Sequence, residues 1–106
     1  MDRHTNISQA FLTFSQEAPG HAEVWADMVK GMATVNAMDP KTTSLVYLGI
    51  LASLGLDSGI PFHVDQAKAA GASRAEVISA ILLGLPAAGN RVTQSLSVAL
   101  EAFDRR

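Results

Sequence analysis

Ile7, Ala10, Phe11 and Phe14 fall at helical spacing and predict a first helix over residues 6–17, with Asn6 as its cap and Pro19-Gly20 breaking the pattern. Val24, Trp25, Met28, Val29, Met32 and Val35 then form one stripe and predict a second helix over residues 21–37, with Glu23, Asp27 and Lys30 on its other faces. A stripe of Trp and Met can line a ligand site, but core packing is the ordinary use of such side chains and is the expectation here. Asp39-Pro40 is a clear helix start, an acidic cap followed by proline at the first helical position, and opens a third helix over residues 40–54.

The third helix carries no charge from Thr42 to Leu56, and Leu45, Val46, Leu48, Ile50, Leu51 and Leu54 point in every direction around it. A helix apolar all round must be buried all round. Residues 77–90 read the same way, and residues 92–100 add another uncharged stretch. A chain of 106 residues has too little interior to enclose so much apolar helix, so another copy is expected to cover part of it.

Between these stretches lies the segment around which the pattern turns. Pro61 suits the first turn of a fourth helix over residues 60–70, which carries His63, and Gly71 stands where a left-handed terminator is wanted. Ser73 and Glu76 have the spacing of a capping box ahead of a fifth helix over residues 74–85. Pro86 either kinks that helix or opens a sixth, which continues through Leu96, Leu100 and Phe103. With no linker and no repeat, residues 1–106 read as one all-α domain, a compact bundle of about six helices.

Composition agrees with helix: 48% of residues are hydrophobic and only 6% aromatic. A net charge of −2, with no face or end that gathers Lys and Arg, gives no footprint for nucleic acid or an anionic membrane. The absence of cysteine removes disulfides, thiol nucleophiles, Cys-type zinc sites and iron–sulfur clusters together. Met1-Asp2-Arg3-His4 lacks the layout of a signal peptide, and no apolar run reaches the roughly 18 residues of a membrane span, so a soluble, cytoplasmic protein is expected. His4 and His21 stand near helix starts with no partner at metal-ligand spacing and read as surface residues; neither a metal nor a cofactor is expected.

Four segments in order, Met38-Asp39-Pro40-Lys41-Thr42, His63-Val64, Ala69-Ala70-Gly71-Ala72-Ser73-Arg74-Ala75-Glu76-Val77 and Gly84-Leu85-Pro86-Ala87-Ala88, resemble the carboxymuconolactone decarboxylase family, also called alkylhydroperoxidase D-like. The resemblance covers about residues 20–103. It implies an all-α fold, assembly as a homo-oligomeric trimer or hexamer, and a pocket near the His-bearing helix at subunit contacts. The family's peroxidase branch uses a Glu, a Cys-x-x-Cys pair and a His, whose positions fall here on Ser44, Leu56, Gly59 and His63. Neither Leu nor Gly supplies sulfur, so a dithiol peroxidase or disulfide reductase is excluded on chemistry. The decarboxylase branch lacks the cysteine pair and is the nearer likeness, although it places a carboxylate just before the histidine, where this chain has Ser58 and Gly59.

In a decarboxylase, loss of CO₂ from a carboxylated lactone leaves a dienolate-like carbanion, which needs an acid to protonate carbon and donors to spread the charge. His63 is the candidate acid or base, and Ser44 and Tyr47, one turn apart on the third helix, are candidate hydroxyl donors facing it. Arg91 is the candidate clamp for a substrate carboxylate, with Ser58 in the loop as a second substrate-binding candidate. Asp57 is the nearest loop acid, while Asp65 points elsewhere on the fourth helix. Each has a plainer reading: His63 as a structural histidine bonded to a nearby carbonyl, Ser44 and Tyr47 as packed hydroxyls, Arg91 as a solvated or interface charge. Two functions therefore stand open. One is a cofactor-free lyase or isomerase acting on a small carboxylated or lactone substrate in an intersubunit pocket. The other is a non-catalytic helical oligomer that keeps the scaffold and binds a small apolar molecule.

Overall fold

Short caps and glycine stops divide the chain into helices, as a computed structural model describing residues 7–105 shows. Every regular element among the described residues is helical: α1 (Gln9–Glu17), α2 (Pro19–Val35), α3 (Pro40–Leu54), a 3-10 turn (Asp57–Gly59), α4 (Ile60–Ala69), α5 (Arg74–Leu82), α6 (Leu85–Ala88) and α7 (Val92–Asp104). None of them is long and apolar enough to cross a membrane. The chain divides into two compact units, one ending at Met38 and one spanning Asp39–Arg106.

In the first unit α1 begins at Gln9, with the Ser8 hydroxyl accepting from the Phe11 amide at 3.1 Å. Asn6, expected as the cap, and His4 lie outside the described residues. Pro19, expected as a breaker, is instead the first residue of α2, where its missing N–H costs nothing. Only Ala18 separates the two helices, and Phe11 folds back onto Trp25 with ring centroids 5.5 Å apart. The expectation that the Trp and Met stripe of α2 is core does not hold. No residue of α2 is buried, and Val24, Met32 and Val35 are 69, 64 and 81% exposed. Two helices joined by one residue have no third surface within their own unit to close over that stripe.

In the second unit the predicted start of α3 is realised, the Asp39 carboxylate accepting from the Thr42 amide at 2.8 Å. At its far end Gly55 takes a left-handed conformation, φ +74°, and the Arg91 guanidinium lies directly against its Cα, leaving no room for a side chain. Gly71 likewise stops α4 in the left-handed region, and Ser73 and Glu76 form the predicted capping box. Pro86 opens the short α6, so α5 ends at Leu82 and the last long helix is separate.

The core of this unit forms where α3 and α7 both pack on α4 and α5. Leu48, Leu51 and Ala52 of α3 meet Ile60, Val64 and Ala67 of α4, Val77 and Ile81 of α5, and Val92, Ala99 and Ala102 of α7. Each set follows the three- and four-residue spacing of one helix face. The rest of α3 is not enclosed: Val46, Ile50 and Leu54 are 46, 47 and 63% exposed. Three cations close the open end of α7 and the start of α5. Lys68 donates to the Phe103 carbonyl at 2.7 Å and lies 4.8 Å from that ring, Arg74 pairs with Asp104, and Lys41 pairs with Glu76.

Candidate functional site

His63 owes its position to its place beside, not within, the buried stripe of α4. Ile60, Val64 and Ala67 fill the core, and His63, three residues past Ile60, falls on the flank of that stripe and is half-buried. Tyr47 holds the matching flank of α3, one residue before the buried Leu48. The two rings meet at 4.6 Å between centroids, tilted by 57°. Phe62 stands edge-on to the imidazole at 5.2 Å. His63 thus touches two aromatic rings.

Its polar atoms have a different environment. His63 makes no hydrogen bond to any described residue, and no buried side-chain nitrogen or oxygen among the described residues lacks a partner. The imidazole nitrogens are therefore open to solvent. Burial of the ring pushes its pKa below the ordinary 6.5, so the neutral form prevails at pH 7. A neutral imidazole with a free nitrogen is a proton acceptor and a hydrogen-bond donor at once.

The other candidates are distributed unevenly. Ser44 sits one turn before Tyr47, on the same side of α3, half-buried and with a hydroxyl that by the same reasoning is open to solvent. Tyr47 is 42% exposed and its hydroxyl has no partner among the described residues. Ser58 is exposed in the 3-10 turn that leads into α4. Arg91 is set apart: it covers Gly55 at the C-terminal end of α3, two turns and about 12 Å along the axis from Tyr47. There a cation also complements the negative end of the helix dipole.

Sequence reasoning overlooked one polar contact. Ser95, only 1% exposed, donates to the Asp57 carboxylate at 2.5 Å and ties α7 to the turn before α4. Its signal was present, since Ser95 is the one polar residue on the buried face Val92, Ser95, Ala99, Ala102. Among the described residues no three His, Asp or Glu side chains converge as a metal site would require.

Comparison with known families settles the relationship. The carboxymuconolactone decarboxylase family profile matches residues 19–101, which takes in α2 through most of α7 with His63 and Tyr47 inside the match. The chain belongs to the carboxymuconolactone decarboxylase family. No curated protein and no solved structure matches it. The membership accounts for the all-helical build, and the lack of cysteine sets this chain apart from a dithiol chemistry.

Proposed function

We propose that this member of the carboxymuconolactone decarboxylase family is a cofactor-free lyase or isomerase for a small carboxylated or lactone substrate, with His63 as its proton-transfer group. The observation that carries the reading is the half-buried His63 itself, packed on Tyr47 and Phe62 yet without a hydrogen-bond partner among the described residues. A ring packed on aromatic neighbours with a nitrogen open to solvent can exchange a proton with a bound molecule.

The neutral ring acts first as a base. In an isomerisation it takes a proton from the carbon next to a carbonyl, and the imidazolium returns it at the far carbon of the enolate. In a decarboxylation the bond to the carboxyl carbon breaks, its electron pair enters the enolate as CO₂ leaves, and an imidazolium charged from water delivers the proton to carbon. Tyr47 and Ser44 supply hydroxyl donors to the oxygen that becomes negative. Arg91, two turns away, holds a second carboxylate only if the substrate is long enough to span that distance, and Ser58, in the turn before α4, is a further candidate donor. The protein works as a homo-oligomer, three or six copies, in which a neighbour closes the site from water.

Incubation with carboxylated γ-lactones and unsaturated dicarboxylates, followed by ultraviolet absorbance and CO₂ release, tests this. Turnover by wild type, slowed about 10²- to 10⁴-fold in His63→Gln, supports it. The position of Arg91 at a helix end favours the second reading, a non-catalytic oligomer. That reading gains if no compound turns over and an apolar ligand raises the melting temperature of wild type and His63→Gln alike.

A further inference from the structure

We infer that Ser95 is a positioning residue for His63: its bond to Asp57 fixes the start of α4 on α7 and so sets the histidine ring against Tyr47. The role rests on the reading of His63 as the proton-transfer group. Ser95 Oγ donates to Asp57 Oδ1 at 2.5 Å, across 38 residues of chain.

The needs of α7 alone do not explain a serine at this position. The buried face of that helix is otherwise Val92, Ala99 and Ala102, and alanine at position 95 would pack there as well and favour helix more. A hydroxyl only 1% exposed costs free energy unless it is bonded. Other hydroxyls on α5 and α7 find that bond within their own stretch of chain, Ser79 on the Ala75 carbonyl, Thr93 on Asn90 and Ser97 on Gln94. Ser95 instead reaches out of its helix to the turn before α4.

The bond holds a helix start that no side chain caps. α1, α3 and α5 are capped by Ser8, Asp39 and Ser73, whereas α4 follows Gly59 and has no side-chain cap. Asp57 makes good the difference. Its main-chain carbonyl accepts from the amide of Ile60, the first residue of α4, while its carboxylate accepts from Ser95. One residue therefore joins the first turn of α4 to a helix that Val92, Ala99 and Ala102 lock into the core.

His63 lies one turn beyond Ile60, so a shift at the start of α4 is carried to its ring. The ring has no hydrogen bond to any described residue that would resist such a shift. Phe62, 5.2 Å away, belongs to α4 and moves with it, so the contact that changes is the one with Tyr47 of α3, at 4.6 Å. A reacting group misplaced by about 1 Å can lose on the order of 10²-fold in rate.

Proton–carbon correlation spectra of the imidazoles test this, with circular dichroism confirming the fold of each variant. The His63 signals are those missing from His63→Gln, and the ring currents of Tyr47 and Phe62 make them report its placement. Ser95→Ala and Asp57→Ala are expected to move these signals and to slow turnover of carboxylated γ-lactones about 10- to 100-fold in kcat, with KM little changed. Asp57→Asn keeps an acceptor oxygen for Ser95 and is expected to keep the wild-type signals and most of the rate. Ala102→Gly weakens the same face of α7 two turns away, and is expected to lower the melting temperature with the His63 signals in place. Signals unmoved in Ser95→Ala, or moved as far in Ala102→Gly, would overturn the positioning role alone. So would an Asp57→Asn protein with the defects of Asp57→Ala. Wild-type turnover by His63→Gln would overturn both the positioning and the proton-transfer reading.

Discussion

Ser95→Ala removes the donor of a buried contact without disturbing the surrounding packing by more than one oxygen atom. The hydroxyl is 1% exposed and lies 2.5 Å from a carboxylate oxygen of Asp57, which is itself half-buried. Hydrogen bonds to charged groups contribute about 1.5–3 kcal/mol, and the water that still reaches Asp57 places this one at the lower end, about 1.5–2 kcal/mol. For a domain of this size each kcal/mol moves the melting temperature by roughly 4–8 °C, so Ser95→Ala should melt about 6–15 °C below wild type. Ser97→Ala is the control, since Ser97 is exposed and bonds only to the Gln94 carbonyl of its own helix; its change should stay within about 0.5 kcal/mol. Thermal melts and urea titrations followed by circular dichroism read both variants. A fall of less than about 2 °C in Ser95→Ala, or equal falls in the two, would refute the claim that this contact anchors the turn before α4.

The Glu76 carboxylate is held below its ordinary range first by the Ser73 amide and then by Lys41, so its contribution is present above the unfolded value of 4.5 and is lost as pH falls through the lower folded value. Glu76→Gln should therefore melt below wild type at pH 7, and melts at pH 3 should bring the two together. Gly55→Ala forces a Cβ into a left-handed turn at a cost of about 1–2 kcal/mol and displaces the Arg91 guanidinium. Because the backbone carries most of that cost, Arg91→Ala should not rescue the melting temperature; full rescue would show that the side-chain clash dominates.

The caps were the most legible part of the fold. Asp39-Pro40, Gly71 and the Ser73–Glu76 box each rest on chemistry within four residues of chain, and all three appear as read. Pro19 was misread because one residue between two helices leaves the same local signature as a longer break. The apolar stripe of α2 was legible as a stripe, but spacing says which residues share a face and not what covers it. At the site, His63 and Tyr47 meet because each flanks a buried stripe, and that can be counted from the sequence once the two helices are known to pack. The place of Arg91 against Gly55 depends on how α7 lies across the end of α3, a tertiary fact with no local signature. Family membership, read from four short segments, holds over residues 19–101.

The most direct measurement on the account's central claim, that His63 is a neutral histidine without a structural partner, is the stability of wild type and His63→Gln compared from pH 8 to pH 5. A histidine whose folded pKa lies below the unfolded 6.5 contributes stability that is fully present above that value and is lost as pH falls through the folded one. At pH 8 the variant should lose only its ring contacts with Tyr47 and Phe62, about 0.5–1.5 kcal/mol. On acidification wild type should weaken relative to His63→Gln, so that the gap narrows. A gap that widens toward pH 5 would mean that the imidazolium is held by a partner in the fold, and a constant gap would mean that folding leaves the ring's titration unshifted; either would contradict the account.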